Sequence, residues 1–384
     1  MRGTIMRRRT ESHRLVVSLL MAATIISSRQ AAAADVPYSI ERRESQRIQA
    51  TLTFAIEVPK LKATDWVVVV GKPPELPSQS DVSSHLDASA ASHVEVGGIG
   101  RSVLRARVPV NGGPRETRFE TTAQFDATLY SRKLVQRSAP ADEAPQLDKL
   151  ERDAYLRKTP MFDFAATPFT EWLYEHELSR RKNESDVDLG RRAFQAVVQS
   201  MNYKYQSEMA RNASHVCETG KTDCGGMCVM FVSAMRANKV PSRVLAGCWA
   251  KSSVEDAMLQ GTRYYQTHVK AEFFASGIGW VPVDPSSAVL HDRSEEKLEY
   301  FGNDPGDFLT LHVDPDLKVD SIHFGVKTLP WLQQFNFFVR GKGTMDGMTT
   351  KMDWQVTSTK AEPQKQSTLQ KRTPGDVGRL RALR

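Results

Sequence analysis

Cys224 stands where a loop is expected to enter a helix, directly after Asp223 and before two glycines. Free N–H groups and the positive end of the helix dipole favour a thiolate, so this position predicts a lowered thiol pKa and a nucleophile. Gly225 and Gly226 would let a substrate backbone approach closely. A cysteine before two glycines is also compatible with a small buried residue, so the motif alone does not define a site.

His268 and Asp284 lie on either side of a predicted hairpin. A three-residue loop at 275–277 would place them opposite each other on neighbouring strands, and other registers would make them diagonal neighbours. A carboxylate so placed fixes the imidazole in one tautomer and stabilises its charged form. Without a nucleophile the pair is an ordinary cross-strand contact. With Cys224 it supplies the nucleophile, base and orienting group that nucleophilic catalysis requires.

The four cysteines allow other interpretations; they are Cys217, Cys224, Cys228 and Cys248. In an exported protein they suggest disulfides, at most two, although a catalytic Cys224 would leave another thiol unpaired. The one-turn spacing of two of them, with His215 nearby, keeps a zinc site as an alternative. Structural zinc sites usually pair two closely spaced ligand couples, which this spacing does not provide. We therefore predict no metal and no other cofactor.

The N-terminal residues 1–34 are typical of a secretory signal peptide. Basic residues up to Arg14 precede an apolar segment at 15–26, and small residues at 31–34 precede Asp35. The apolar segment is short for a bilayer span, and an uncleaved anchor is the alternative. The pattern predicts a secreted or periplasmic protein without stable membrane insertion after signal cleavage.

The net charge of +7 is concentrated at the two ends of the 384-residue chain. Six Arg oppose Glu11 in residues 1–34, and seven Lys or Arg oppose two acids in residues 355–384, so the remainder is slightly acidic. A nucleic-acid-binding protein would carry a basic face on its folded body. We therefore predict no nucleic-acid partner, and the ordinary composition, 40% apolar and 25% charged, indicates a globular protein.

Two folded regions are expected from the apolar patterns. Alternating residues predict a β-rich, sandwich-like domain at 35–135, and a linker follows at 136–165. Residues 166–315 would form the catalytic domain, 316–354 a C-terminal extension and 355–384 a disordered basic tail. Within the predicted catalytic domain, we expect helices near 169–178, 186–201 and 224–239 and strands at 243–249, 268–274 and 280–284. The third helix is apolar on both faces and should be buried.

Residues 223–247, beginning Asp-Cys-Gly-Gly-Met-Cys, resemble the core motif of the transglutaminase-like superfamily. In that motif a catalytic cysteine opens a buried helix that ends before a proline, and the interval to Pro241 matches Cys224 rather than Cys228. Residues 267–272 resemble the family's His-Ala-Trp-Val-Glu segment, and residues 279–285 resemble its Gly-Trp-Val-Pro-Val-Asp-Pro strand. Residues 300–303 resemble a segment of bacterial members.

The resemblance implies a papain-like α+β core, with the helix-borne cysteine packed on an antiparallel sheet, and Cys224, His268 and Asp284 as a triad. It implies an exported thiol-dependent acyl transferase acting on protein or peptide amides. Hydrolysis is favoured over amine crosslinking, because water needs no second binding site. The alternative is a non-catalytic binding module of the cell envelope.

Departures from the motifs concern the cleft, where Met227 and the pair Val269-Lys270 replace the family's usual residues. Because of these differences, the resemblance does not indicate which substrate binds in the cleft. The second oxyanion donor is also open, with Tyr203 and Gln206 as the alternatives.

Overall fold

The computed structural model describes residues 38–137, 145–206, 208–253, 258–259, 262–263, 266–294 and 298–360. The predicted signal peptide lies outside these residues. The helices are α1 (Lys149–Ala154), α2 (Thr167–Glu175), α3 (Asp186–Ser200), α4 (Ala213–Thr219), α5 (Cys224–Ala237) and α6 (Pro285–His291), with a 3-10 turn at Pro114–Glu116. The strands are β1 (Tyr38–Glu57), β2 (Leu61–Gly71), β3 (Gln79–Leu86), β4 (Ala90–Val94), β5 (Ser102–Pro109), β6 (Arg118–Gln136), β7 (Asn202–Tyr203), β8 (Lys221–Thr222), β9 (Ser242–Trp249), β10 (Met258–Leu259), β11 (Thr262–Arg263), β12 (Thr267–Ala275), β13 (Gly279–Val283), β14 (Asn303–Asp304), β15 (Phe308–Val313), β16 (Leu317–Asp320), β17 (Val326–Leu329), β18 (Asn336–Gly343) and β19 (Thr349–Lys360).

Two antiparallel sheets pack face to face in the β-rich part of the chain. One has the order β14-β6-β1-β19, with β3 also paired to β6, and the other has the order β18-β2-β5-β4. Inward-facing side chains such as Phe54 of β1 and Phe125 of β6 are buried between them, while their neighbours along each of these strands are more exposed. This alternation is what produces a sandwich, and it confirms the predicted β-rich N-terminal region.

The C-terminal strands complete this sandwich, which corrects the prediction for the end of the chain. β19 pairs with β1 from Gln46 to Glu57, and β18 pairs with β2. Residues 355–360, predicted to begin a disordered tail, therefore belong to a strand. The prediction failed because only Trp354 is fully buried and the side chains after it are mostly polar and exposed. Residues after Lys360 lie outside the described residues.

The predicted linker also contains regular structure. Asp148 caps α1, accepting a hydrogen bond from the Glu151 N–H at 2.8 Å, while the Glu151 side chain returns to the Asp148 N–H. This reciprocal arrangement is a capping box, and its Asp-x-x-Glu spacing is visible in the sequence. Phe162, further along the segment, is fully buried against the helices. Part of 136–165 is therefore ordered and packed.

The central helix α5 lies against the antiparallel sheet β13-β12-β9-β15. Residues 225–236 are all buried, as the apolar pattern on both faces predicts. The helix ends at Ala237, two positions before the predicted end. Lys239 adopts a left-handed conformation with φ of 64°, and the Val240 N–H returns to the Met235 carbonyl. The left-handed conformation of Lys239 therefore closes the helix, and Pro241 additionally disfavours helical backbone at Val240.

The sandwich and the helix-covered sheet share buried groups. Cys248, Leu309 and Leu311, from the sheet that supports α5, pack into the sandwich core. Arg132 of β6 reaches Glu272 of β12, with Nη1 to Oε2 at 2.6 Å, and both side chains are buried. The domain boundaries given above remain predictions, but these contacts tie the two parts together. Within the described residues, no helix is long and apolar enough to cross a bilayer.

Candidate active site

Cys224 is the first residue of α5, and its neighbour Asp223 is the helix N-cap. The Asp223 side chain accepts a hydrogen bond from the Gly226 N–H at 3.2 Å, which satisfies one of the free donors of the first turn. Arg211 holds the same carboxylate through Nε at 2.8 Å and Nη2 at 2.6 Å. The loop before α5 is thus fixed at the point where the thiol emerges.

The pKa of the Cys224 thiol is raised above its ordinary value, which corrects the prediction of a lowered one. Burial is the largest cause, and the Asp223 and Asp284 carboxylates add to it. The N–H groups of Val269 and Gly225 face the sulfur and favour the thiolate, but they do not outweigh those effects. The resting side chain is therefore a neutral thiol at neutral pH.

The two glycines after Cys224 make room for protein side chains. A Cβ on Gly226 would overlap the Thr222 side chain of β8. A Cβ on Gly225 would come within 3.0 Å of Trp331 Cζ2. Close approach of a substrate backbone, the role predicted for both, is therefore not needed to explain why either position is glycine.

His268 and Asp284 are in direct contact, with Nε2 and Oδ2 2.8 Å apart. They meet as diagonal neighbours, because Ala275 pairs with Gly279 and the connecting loop is 276–278. The directly opposed register predicted for a loop at 275–277 is wrong by one loop position. Gly277 does have the positive φ, 77°, expected for glycine in such a turn.

The Asp284 carboxylate is held by several donors besides His268. Ser287 donates through its N–H at 3.0 Å and its hydroxyl at 2.8 Å, and Ser286 donates through its hydroxyl at 3.1 Å. Burial alone would raise the pKa of Asp284, but His268, Lys270 and the Ser287 N–H hold it below its usual value. Asp284 is thus an anion that N-caps α6. An Asp-Pro-Ser-Ser sequence is a helix-start signature that could have identified these serines.

Trp249 covers one face of the His268 ring, with centroids 4.4 Å apart and planes inclined by 22°. Lys270 Nζ lies 4.8 Å from the Trp249 ring and 3.2 Å from the Asp304 carboxylate. The side chains of Trp249, His268 and Lys270 share one face of β9 and β12. Val269 packs towards α5, where its carbonyl accepts a hydrogen bond from the Cys228 thiol. The Trp249 ring shields one face of the imidazole from water. A hydrogen bond in such a low-dielectric environment is stronger, which favours the bond between His268 and Asp284.

No hydrogen bond joins Cys224 to His268 in the described part of the chain. The two residues are connected through β12, since the Val269 N–H that follows His268 faces the Cys224 sulfur. Nε2 of the imidazole contacts Asp284, so Nδ1 is the ring nitrogen that does not face this carboxylate. The structure thus brings His268 and Asp284 together and sets Cys224 beside the same strand.

The four cysteines form no disulfide. Cys228 and Cys248 are buried, and Cys217 lies with its sulfur 3.7 Å from Met230 Sδ. Burial raises the pKa of Cys217 to about 12. In the part of the chain that the structure describes, no group of three His, Cys, Asp or Glu side chains is arranged to hold a metal ion.

The cleft at Cys224 has a volume of about 400 Å³. Tyr203 lines it, whereas Gln206 is exposed and is not among the residues that line it. Trp331 and Gln333 also line it, although they come from the predicted C-terminal extension. Gln333 Nε2 donates to the His268 carbonyl at 2.6 Å and to the Gly247 carbonyl at 3.1 Å. Sequence reasoning missed both residues, because nothing local in a sequence links them to distant motifs.

A family model matches the part of the chain that contains these residues. Residues 176–285 match the model of the transglutaminase-like superfamily. This segment is similar to the transglutaminase-like core. The matched range contains Cys224, His268 and Asp284, and it covers less than a third of the sequence. The part of the cleft at 330–336 lies beyond the matched range.

One solved structure extends the similarity beyond residues 176–285. A Cytophaga hutchinsonii protein proposed to be a cysteine protease superposes with a TM-score of 0.52 and 11% identity, over 84% of this chain and 93% of its own. The periplasmic domain of TgpA from Pseudomonas aeruginosa aligns with a TM-score of 0.33 and 16% identity, over 65% of this chain and 92% of its own. No curated protein matches the sequence significantly. At 11% identity the first similarity establishes the fold alone, which is the papain-like α+β core preceded by the β-rich region.

Proposed function

We propose that this protein is an exported thiol-dependent acyl-transfer enzyme that acts on protein or peptide amides through Cys224, His268 and Asp284. The observation that carries the proposal is the 2.8 Å contact between His268 Nε2 and a carboxylate that stays ionised. The Val269 N–H, one residue after His268, faces the Cys224 sulfur, which supports the proposed pairing of the two side chains. The similarity to the transglutaminase-like core supports a nucleophilic role for this cysteine.

In the proposed reaction, a neutral thiol must lose its proton as it attacks. His268 Nδ1 takes the proton while the sulfur forms a bond to the amide carbonyl carbon, and Asp284 stabilises the resulting imidazolium. The Cys224 N–H, which has no acceptor within its helix, and the Tyr203 side chain are the proposed oxyanion donors. The imidazolium then protonates the leaving amine, and a thioester remains on Cys224.

The second half of the reaction resolves the thioester. His268 deprotonates a water molecule that attacks the acyl carbon, and the acid product leaves with regeneration of the thiol. An amine in place of water would give a crosslink. We favour hydrolysis because water requires no second binding site, and we place the reaction outside the cytoplasm because residues 1–34 are typical of a signal peptide.

The test uses casein as a glutamine-rich protein substrate together with a fluorescent primary amine. Hydrolysis predicts new peptide fragments or released ammonia without incorporation of the amine, and incorporation would indicate crosslinking instead. Cys224→Ala should abolish every product, while Cys228→Ala, which removes a buried thiol one turn along α5, should keep them. Products of equal yield from Cys224→Ala would exclude the proposed nucleophile.

A second function, a non-catalytic binding module, is favoured by two observations. The Cys224 thiol has a raised pKa, and no hydrogen bond joins it to His268 within the described residues. A binding module would retain peptides or glycans equally well after Cys224→Ala and would never form a covalent adduct on that residue. Covalent adducts on Cys224 would exclude it.

A further inference from the structure

A second cavity adjoins the nucleophile's cleft. It has a volume of about 550 Å³ and shares Arg211 and Trp331 with the cleft at Cys224. We call it the acidic pocket; its remaining wall includes Glu208, Asp316, Met161, Met209 and Pro330. Since two side chains border both cavities, a polypeptide bound at Cys224 could place a neighbouring side chain in this pocket.

The charges around the acidic pocket do not cancel. Arg211 is its cation, but that guanidinium is already paired with Asp223 at 2.6 Å and donates to the Met209 and Gln206 carbonyls. Neither Glu208 nor Asp316 has an ion-pair partner among the residues that the structure describes. Among the described lining residues, two carboxylates without an ion-pair partner thus face one guanidinium that is already paired, which favours a cationic ligand.

Asp316 is held firmly in the wall. Its N–H donates to the Pro330 carbonyl at 3.1 Å, and its own carbonyl accepts from Arg101 at 3.2 Å. Burial raises the pKa of its carboxyl group, while Arg101 and Lys318 counteract that effect. Arg101 is itself paired with Glu95 at 2.6 Å. A bound cation would thus meet a carboxylate that has given up part of its hydration.

The rest of the wall suits the stem of a long basic side chain. Trp331 offers an aromatic surface, and Met161 and Met209 offer flexible apolar contacts. Aromatic faces attract Lys and Arg head groups, and apolar surfaces cover their methylene stems. Resting on the proposed function, we propose that the acidic pocket binds the side chain of a lysine or arginine in the polypeptide substrate.

The test measures binding without catalysis, so that it does not depend on the proposed chemistry. The probe is Ac-Gly-Gly-Lys-Gly-Gly-amide, with norleucine and Glu versions as comparisons, titrated calorimetrically into the Cys224→Ala protein. The Lys peptide should bind about tenfold more tightly than the norleucine peptide, the size expected for two partly exposed ion pairs. The double variant E208Q/D316N should reduce its affinity to the norleucine level and leave the norleucine peptide unchanged.

Two further variants keep the outcome interpretable. Glu208→Gln alone changes an exposed side chain. It should account for part of the lost affinity for the Lys peptide even if Asp316→Asn disturbs folding. Glu171→Gln, an exposed position on α2 that lines neither cavity, should have no effect. Equal affinity for all three peptides, no detectable binding, or an unchanged affinity in E208Q/D316N would overturn the inference. An active enzyme without a basic preference would overturn it and leave the proposed function standing.

Discussion

At the residue scale, the resting site differs from a preformed ion pair of thiolate and imidazolium. The imidazole is oriented by Asp284 on one side and Trp249 on one face, but the Cys224 thiol is neutral. The hairpin motifs predicted that His268 and Asp284 would meet, because their spacing is encoded locally. The direction of the thiol pKa could not be predicted, because it depends on burial and on a carboxylate sixty positions away in the chain.

The thiol pKa leads to a prediction about alkylation. Because only the thiolate reacts, iodoacetamide should modify Cys224 more slowly at pH 7 than it modifies free cysteine, whose pKa is about 8.5. The rate should keep rising as pH increases through 9. Mass spectrometry of the Cys224 peptide measures the rate at each pH. A rate that is already constant below pH 7 would indicate a preformed thiolate and contradict the neutral resting state.

At the element scale, α5 and the strands around it leave no free volume at the second glycine. The Asp223 cap, the Thr222 side chain and the first turn of α5 fill the space around Gly226. A motif of two glycines is easily recognised in a sequence, but its cause is a contact with a strand residue that only the fold reveals. The same is true of the hairpin, where a loop displaced by one residue turned an opposed pair into a diagonal one.

We expect Gly226→Ala to destabilise the protein by about 1–3 kcal/mol, because the added methyl group overlaps the Thr222 side chain. Gly225→Ala is the matched control, since its nearest neighbour is the edge of the Trp331 ring at 3.0 Å and a ring can shift. Urea unfolding followed by circular dichroism measures both. Equal stability of the Gly226 variant and the parent would mean that the Thr222 side chain can move aside without a loss of folding free energy.

At the scale of the whole molecule, the two ends of the described chain close one sandwich around a shared core. β19 pairs with the long strand β1, and the Trp354 indole donates to the Trp249 carbonyl at 2.8 Å. Trp249 in turn covers His268. Local patterns predicted the N-terminal strands but not their C-terminal partners, because strand pairing over such a distance leaves no periodic signal beyond a few alternating residues.

Removing β19 should therefore affect the fold far from the cut. A chain that ends at Met348 exposes the β1 edge and loses the buried Trp354, so we expect a loss of cooperative unfolding and a tendency to aggregate. A chain that ends at Lys360 is the control and should melt like the full protein. Scanning calorimetry distinguishes them. An unchanged melting temperature for the shorter chain would show that the sandwich does not need its last strand.

The buried charges between the sandwich and the sheet predict a dependence of stability on pH. Burial would raise the pKa of Glu272, but Arg243 and Arg132 lower it overall, and Lys270 and Arg132 do the same for Asp304. The folded state then binds fewer protons than the unfolded state. The ionised carboxylates of Glu272 and Asp304 therefore stabilise the folded state fully above about pH 5, and this stabilisation is lost as pH falls below about 4.

Arg132→Met tests this network. At pH 7 we expect a loss of about 3–5 kcal/mol, because two buried carboxylates lose their shared partner. The variant should also lose less further stability on acidification, since its carboxyl groups are protonated more easily. Arg43→Met, which breaks an exposed pair with Glu41, should leave the unfolding free energy unchanged. If the unfolding free energies of Arg132→Met and the wild type fell identically with pH, the network would not be the cause of the acid sensitivity.

The central claim, that Cys224 carries the acyl group, is tested most directly with p-nitrophenyl acetate, an activated ester that needs no knowledge of the natural substrate. Stopped-flow absorbance should show a burst of nitrophenolate, and peptide mass spectrometry of the quenched sample should find the acetyl group on Cys224. Cys228→Ala should keep the burst, and Asp284→Asn should slow it by at least about a hundredfold. A burst of equal size from Cys224→Ala, or acetyl groups only on other residues, would contradict the account.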